Sequence, residues 1–197
     1  MFIKRQILDL IVTIAALLPL GLIFFDAITG RLSVNPIQEL ILRTGKPALV
    51  LLIASLACTP LNLLFGWKWI MAARKPLGLY SFGYIVLHLF LFVVVDYSLD
   101  LDLISQAIRE KRYILAGMAA FLLLVPLALT SNGAAMRRLG RWWRRLHRLV
   151  YLAAILAVLH YLWLAKVIRE PVIFGIILLA LLALRLPIIR RALLWRT

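Results

Sequence analysis

Long apolar runs alternate with short charged segments along the whole chain. An α-helix rises about 1.5 Å per residue, so crossing the hydrocarbon core of a bilayer takes about 20 mostly apolar residues. Six runs approach that length, at residues 7–25, 47–65, 77–95, 113–130, 149–165 and 171–189. The pattern predicts an all-α fold, a polytopic membrane helix bundle with six transmembrane helices. The sixth run is interrupted by Arg185, a long side chain expected to snorkel from a helix end to the interface. Lys4 and Arg5 before the first run imitate a secretory leader. Asp9 and the lack of a small-residue cleavage site favour a retained first span. No polar block is long enough for a separate soluble domain, and no internal repeat is evident, so residues 1–197 read as a single membrane domain.

Composition agrees with the pattern. Hydrophobic residues make up 64% of the 197 and mean hydropathy is +1.00, whereas soluble domains use roughly 45 to 50% apolar residues. The one cysteine, Cys58, lies in an apolar run, which excludes an intrachain disulfide framework and a cysteine-rich iron–sulfur site. Any metal chemistry falls to histidine or carboxylate.

The formal charge of +15 suits anionic headgroups and topology better than nucleic acid, because the basic residues flank apolar spans. Of the 23 Lys and Arg, 15 fall on the side shared by both termini and the segments 66–76 and 131–148. Seven of the eight acidic residues fall on the other side. Short translocated loops avoid Lys and Arg, so both termini are expected in the cytoplasm. In a bacterium the opposite side is periplasm.

The chain has three histidines, His88, His147 and His160. On this topology the third and fifth spans both rise outward, and His88 and His160 stand at similar depth in the outer half. Matched depth on two parallel helices suits the two axial imidazoles of one haem, and ionisable residues inside a span are costly and usually functional. The alternative is that each histidine simply bonds a neighbouring helix. Ala153 and Ala157 share the His160 face at helical spacing and would leave room for a flat macrocycle; Ser81 and Gly83 are candidates for the same part near His88. His147 stands about 20 Å along the axis from His160, and the matching level of the third span holds Lys75. Lone ligation, contact with a second cofactor and lipid-headgroup contact are all open to His147, the last two ranking above ligation.

Arg74, Lys75 and the arginines from Arg137 to Arg148 could hold a flavin phosphate or dock an acidic reductase; topology and lipid contact account for the same charges. The tryptophans fall near expected interfaces, as in an aromatic belt. There is no Gly-rich phosphate loop, no carboxylate pair within a span and no Ser-His-Asp arrangement. The chain shows no catalytic site of its own.

Taken together, "RKPLGLYSFGYIVLHLF" (Arg74 to Phe90), "LTSNGAAMRRLGRWWRRLHRLVYLAAILAVLHYLWLAK" (Leu129 to Lys166), "NPIQELILRTGKPAL" and "CTPL" resemble the ferric reductase-like transmembrane group. Within it they resemble the haem-binding membrane subunits of bacterial methionine sulfoxide reductase systems. The resemblance runs in order over nearly the whole chain. It implies haem b with His88 and His160 as ligands, FMN, and the bacterial inner membrane. It also implies electrons entering from the quinone pool or a cytoplasmic flavin reductase and leaving to a periplasmic molybdopterin subunit of the MsrP type, which repairs oxidised periplasmic proteins. The group's histidines fall here on His88, His147 and His160, and its basic pair at the start of the third helix falls on Arg74 and Lys75. Lys75 stands where the group usually has Arg, replacing a bidentate fork by a point charge. A ferric or quinone-linked cytochrome b reductase with another acceptor, and a cofactor-free membrane anchor for a periplasmic enzyme, are the alternatives.

Overall fold

The structure, a computed structural model, describes residues 2–186, with side chains from residue 6. The expected end of the sixth span at residue 189, the arginines 190, 191 and 196, Trp195, and the side chains of Lys4 and Arg5 lie outside the described residues. All regular structure among the described residues is helical. Five helices are long and apolar enough to cross a membrane: Gln6–Ile28, Pro36–Phe65, Arg74–Asp96, Arg112–Leu129 and Arg141–Leu164. Large apolar side chains on these helices stay exposed, among them Phe24, Leu122 and Ile14, as lipid-facing residues do and soluble surfaces do not. The chain is a multi-pass helical membrane protein.

Contacts gather the described residues into two compact units, one of residues up to 55 with 72–111 and one of residues 56–71 with those from 112 onward. In the first unit, α1 (Phe2–Ile28) packs with α3 (Arg74–Phe90), and α2 (Pro36–Phe65) contributes its N-terminal part. Three side-chain bonds fix how α3 is turned. Tyr84 Oη donates to Ala16 O (2.6 Å), Tyr80 Oη to Thr13 Oγ1 (2.9 Å), and Ser81 Oγ to Ala48 O (2.7 Å). Around them Ala16, Ala48, Leu51 and Tyr84 form a buried apolar cluster. Ser81 is thus spent on holding α2 rather than on leaving space near His88.

Helix α2 starts 11 residues before the expected span. Asn35 Oδ1 accepts from Gln38 N at 3.2 Å, and Pro36 begins the helix where its missing N–H costs nothing. Glu39 and Arg43 pair one turn apart at 2.9 Å, and Arg43 reaches Asp26 at 2.6 Å. These charges break the apolar run that a span search relies on, yet they satisfy one another and the helix continues through them.

After Phe90, α3 widens into a π-helical turn, Leu91–Asp96. Ser98 and Leu99 then take positive φ, 50° and 61°, before the amphipathic helix α4 (Leu101–Glu110). Asp100 caps α4, its Oδ1 accepting from Asp102 N and Leu103 N at 3.0 Å each.

In the second unit, α8 (Leu149–Leu164) packs along α5 (Arg112–Leu129) and against α9 (Arg169–Ala183). The basic segment before α8 is two short helices, α6 (Gly133–Leu139) and α7 (Arg141–Leu146), separated by Gly140 at φ +51°. Helix α9 has 15 described residues. Arg185, just beyond it, does not reach outward: Nη1 donates to Tyr151 Oη (2.6 Å), Nη2 to Leu56 O (2.5 Å), and the guanidinium lies over the Tyr151 ring.

Candidate functional site

In the first unit His88 stands seven residues after Ser81, on the α3 face that α2 covers. Its Nδ1 lies 2.8 Å from Ile41 O. A carbonyl oxygen only accepts, so Nδ1 carries the proton, and in the neutral ring Nε2 carries the lone pair. The imidazole reaches this carbonyl across Gly45, four residues further along α2. A Cβ at Gly45 would stand 3.2 Å from His88 Cε1 and Nδ1.

His160 in the second unit repeats the arrangement. Its Nδ1 lies 2.6 Å from Tyr113 O, so Nε2 again carries the lone pair. Gly117, four residues after Tyr113, lies under the ring, and a Cβ there would meet His160 Nδ1 at 2.6 Å. The Tyr113 ring adds an edge contact, centroids 5.7 Å apart. Ala153 is completely buried by protein, so it serves close helix packing and not the open space expected for a macrocycle.

The recurrence is sequential as well as spatial. Both histidines bond a carbonyl 47 residues upstream, with no shift between the two cases. Ile41, Gly45, Ala48, Ser81 and His88 correspond at a constant offset of 72 positions to Tyr113, Gly117, Ala120, Ala153 and His160. Both histidines end the tripeptide Val-Leu-His. The absence of an internal repeat, expected from the sequence, is therefore corrected for these two segments. Most side chains differ, and what recurs is a carbonyl, a glycine and an imidazole.

His147 is held differently. Its Nε2 lies 3.1 Å from Thr130 Oγ1, which in turn lies 2.6 Å from Pro126 O. The single hydroxyl proton goes to the carbonyl, so the hydroxyl oxygen accepts from His147 Nε2–H. In its neutral form the lone pair sits on Nδ1, the opposite tautomer to His88 and His160. His147 and Arg148 also form a tight turn, with Arg148 N bonding Arg145 O and Tyr151 N bonding Arg148 O. The unbroken ideal helix from His147 to His160 assumed in the expected axial distance between them is not what forms. Arg74 and Lys75 open α3, where Lys75 is exposed and Arg74 half-buried.

Among the described residues no three His, Cys, Asp or Glu side chains come together to hold a bare metal ion. The donor chemistry that is present is two imidazoles, each oriented by a backbone carbonyl, the outer partner that metal-ligating histidines ordinarily have. Haem iron takes its four equatorial ligands from the porphyrin and needs from protein only such axial nitrogens, so the residues fit that group. Sequence reasoning found the histidines and missed Ile41, Gly45, Tyr113, Gly117 and Thr130. Two of these act through backbone carbonyls, which no side-chain pattern marks; the shared spacing from each histidine was the one available signal.

A helical membrane protein with histidines set into two of its spans is the class defined so far, and comparison with known proteins narrows it. Residues 44–158 match the family described as ferric reductase like transmembrane component. Over 183 residues the chain is 46% identical to the protein-methionine-sulfoxide reductase heme-binding subunit MsrQ of Rhodospirillum rubrum, covering 91% of this chain and 88% of that protein. It is 40% identical over 176 residues to the MsrQ of Herminiimonas arsenicoxydans (87% and 81% covered) and 38% identical over 186 to that of Cronobacter sakazakii (93% and 92%). The chain belongs to the MsrQ family of ferric reductase-like transmembrane proteins.

Proposed function

We propose that this chain is a membrane electron-transfer subunit that holds haem b, with His88 and His160 as axial ligands of the iron. It passes electrons from the quinone pool or a cytoplasmic flavin reductase to a periplasmic molybdopterin methionine sulfoxide reductase of the MsrP type, supporting repair of oxidised periplasmic proteins. The observation that carries this is the matched pair of imidazoles, each presenting Nε2 as its basic nitrogen because Nδ1–H is donated to a carbonyl. Family membership supports it, since the relatives are named heme-binding subunits of protein-methionine-sulfoxide reductases.

Haem bound there would supply one-electron redox chemistry at a potential set by its ligands, their hydrogen bonds and burial. The chain's own residues orient the ligands, exclude water from apolar spans and hold the Nδ1 protons on backbone. FMN belongs to the same proposal, with Arg74 and Lys75 offering positive charge for its phosphate or for the donor and His147 a contact to a second cofactor. So do a single haem-binding domain of six spans, the bacterial inner membrane and cytoplasmic termini, which the excess of Lys and Arg on that side supports.

The test is the absorption and EPR spectrum of full-length protein purified after expression with ample haem. Wild type is expected to show a low-spin six-coordinate haem, and His88→Ala and His160→Ala each to lose it. A low-spin spectrum surviving either substitution would overturn the ligand assignment.

A further inference from the structure

The two proposed ligands share a supporting device whose glycine has no other evident task. Gly45 and Gly117 both lie inside α-helices, where glycine is less favourable than alanine, and neither has the positive φ that would require it. What each has is an imidazole lying on its bare backbone. At Gly117 a Cβ would stand 2.6 Å from His160 Nδ1, 3.0 Å from Cε1 and 3.3 Å from Cγ, so the ring would have to leave its place. At Gly45 the closest approaches are 3.2 Å, and a displacement of a few tenths of an ångström would relieve them. Other glycines lack this relation: at Gly175 on α9 a Cβ would make an ordinary contact of 3.6 Å with Val158 on α8.

Geometry explains why the glycine stands four residues after the carbonyl. The carbonyls of a helix point along its axis toward the next turn, where residue i+4 donates its N–H. A ring that is to reach the carbonyl of residue i from the side must pass over residue i+4, and any side chain there covers the approach. Ile41 with Gly45 and Tyr113 with Gly117 meet this requirement.

We propose that Gly45 and Gly117 are positioning residues for the two iron-ligating imidazoles. Each keeps a helix surface bare so that the ring can lie flat and donate Nδ1–H to the carbonyl one turn back, which fixes Nε2 as the ligating nitrogen and sets the rotation of the ring. Gly117 is the stricter of the two. The inference rests on His88 and His160 being the ligands. Because a carbonyl on the far nitrogen raises imidazole basicity, displacing the ring alters the ligand field and the haem potential as well as occupancy.

The experiment compares full-length wild type with Gly117→Ala, Gly45→Ala, Gly175→Ala and His160→Ala, each purified in detergent and checked for helical content and monodispersity. Haem affinity, the low-spin EPR signal and the haem midpoint potential are read for each. Gly117→Ala is expected to lose about 10- to 100-fold in haem affinity, the range for outer partners of metal ligands, with a shifted potential and an altered or high-spin signal. Gly45→Ala should change the same readouts less, and Gly175→Ala should match wild type. Wild-type affinity, potential and EPR signal in Gly117→Ala, with His160→Ala having lost the low-spin state, would overturn the glycine inference alone. A low-spin state retained in His160→Ala would overturn the ligand assignment and the inference with it. Should Gly117→Ala fail to accumulate, the double variant His160→Ala/Gly117→Ala decides. Restored accumulation without the imidazole supports the proposal, and continued loss makes Gly117 a helix-packing residue and overturns it.

Discussion

Trp143 and His147 stack with ring centroids 4.0 Å apart and planes 27° from parallel, and both side chains are tied to Thr130. The indole N–H donates to Thr130 O at 2.9 Å, while the imidazole Nε2–H donates to its hydroxyl. Thr130→Val keeps the volume and removes the hydroxyl that accepts from Nε2–H. Nitrogen-15 spectra of histidine-labelled protein should show His147 as the Nε2–H form in wild type and as a mixture in the variant. An unchanged spectrum would remove Thr130 from this role. Because Nε2 is engaged in this way, His147→Ala should retain the low-spin haem that His88→Ala and His160→Ala lose.

Arg185 should stabilise the second unit through two specific bonds rather than through charge at the interface. Tyr151→Phe deletes one acceptor and leaves a charged donor to find another, at a cost of about 1.5–3 kcal/mol. Arg185→Lys keeps the charge but cannot span Tyr151 Oη and Leu56 O with one ammonium. Both variants should unfold at lower temperature in detergent, and full stability in Arg185→Lys would argue against the paired contact.

Asp100 caps α4, its side chain accepting from two backbone N–H groups. Asp100→Ala should cost about 0.5 to 2 kcal/mol locally. Hydrogen exchange at residues 101–105 should speed up accordingly while α3 and α5 stay protected. Equal acceleration throughout would mean that α4 has no independent opening.

The phenol of Tyr84 donates to Ala16 O from a buried position. Side-chain hydrogen bonds between membrane helices average about 0.6 kcal/mol, so Tyr84→Phe should lower stability by that order and leave the histidine-dependent spectrum in place. A loss above about 2 kcal/mol would show that the carbonyl of Ala16 finds no substitute.

The apolar runs made the spans legible, because lipid demands length and composition that the sequence displays openly. They failed at α2, where Glu39, Arg43 and Lys46 look like loop residues until Asp26 and Glu39 are seen beside Arg43. That failure hid half of the His88 environment, since Ile41 and Gly45 lie in the stretch read as a connection. The histidines themselves were legible as costly residues within apolar spans. Their supports were not, because a carbonyl belongs to every residue and a glycine means nothing until the ring that crosses it is known. Small residues misled as well: Ala153 looked like vacant space beside His160 and is fully packed.

The π-helical turn at Leu91–Asp96 lies directly beyond His88. Accommodating one additional residue in a turn re-indexes all that follows by about 100°, so it acts as a phase break in the helix. Upstream of the break, the azimuth of each side chain answers to Ala16, Ala48 and Ile41. Downstream, residues can be inserted, deleted or re-faced in the segment that follows without rotating His88 away from its carbonyl.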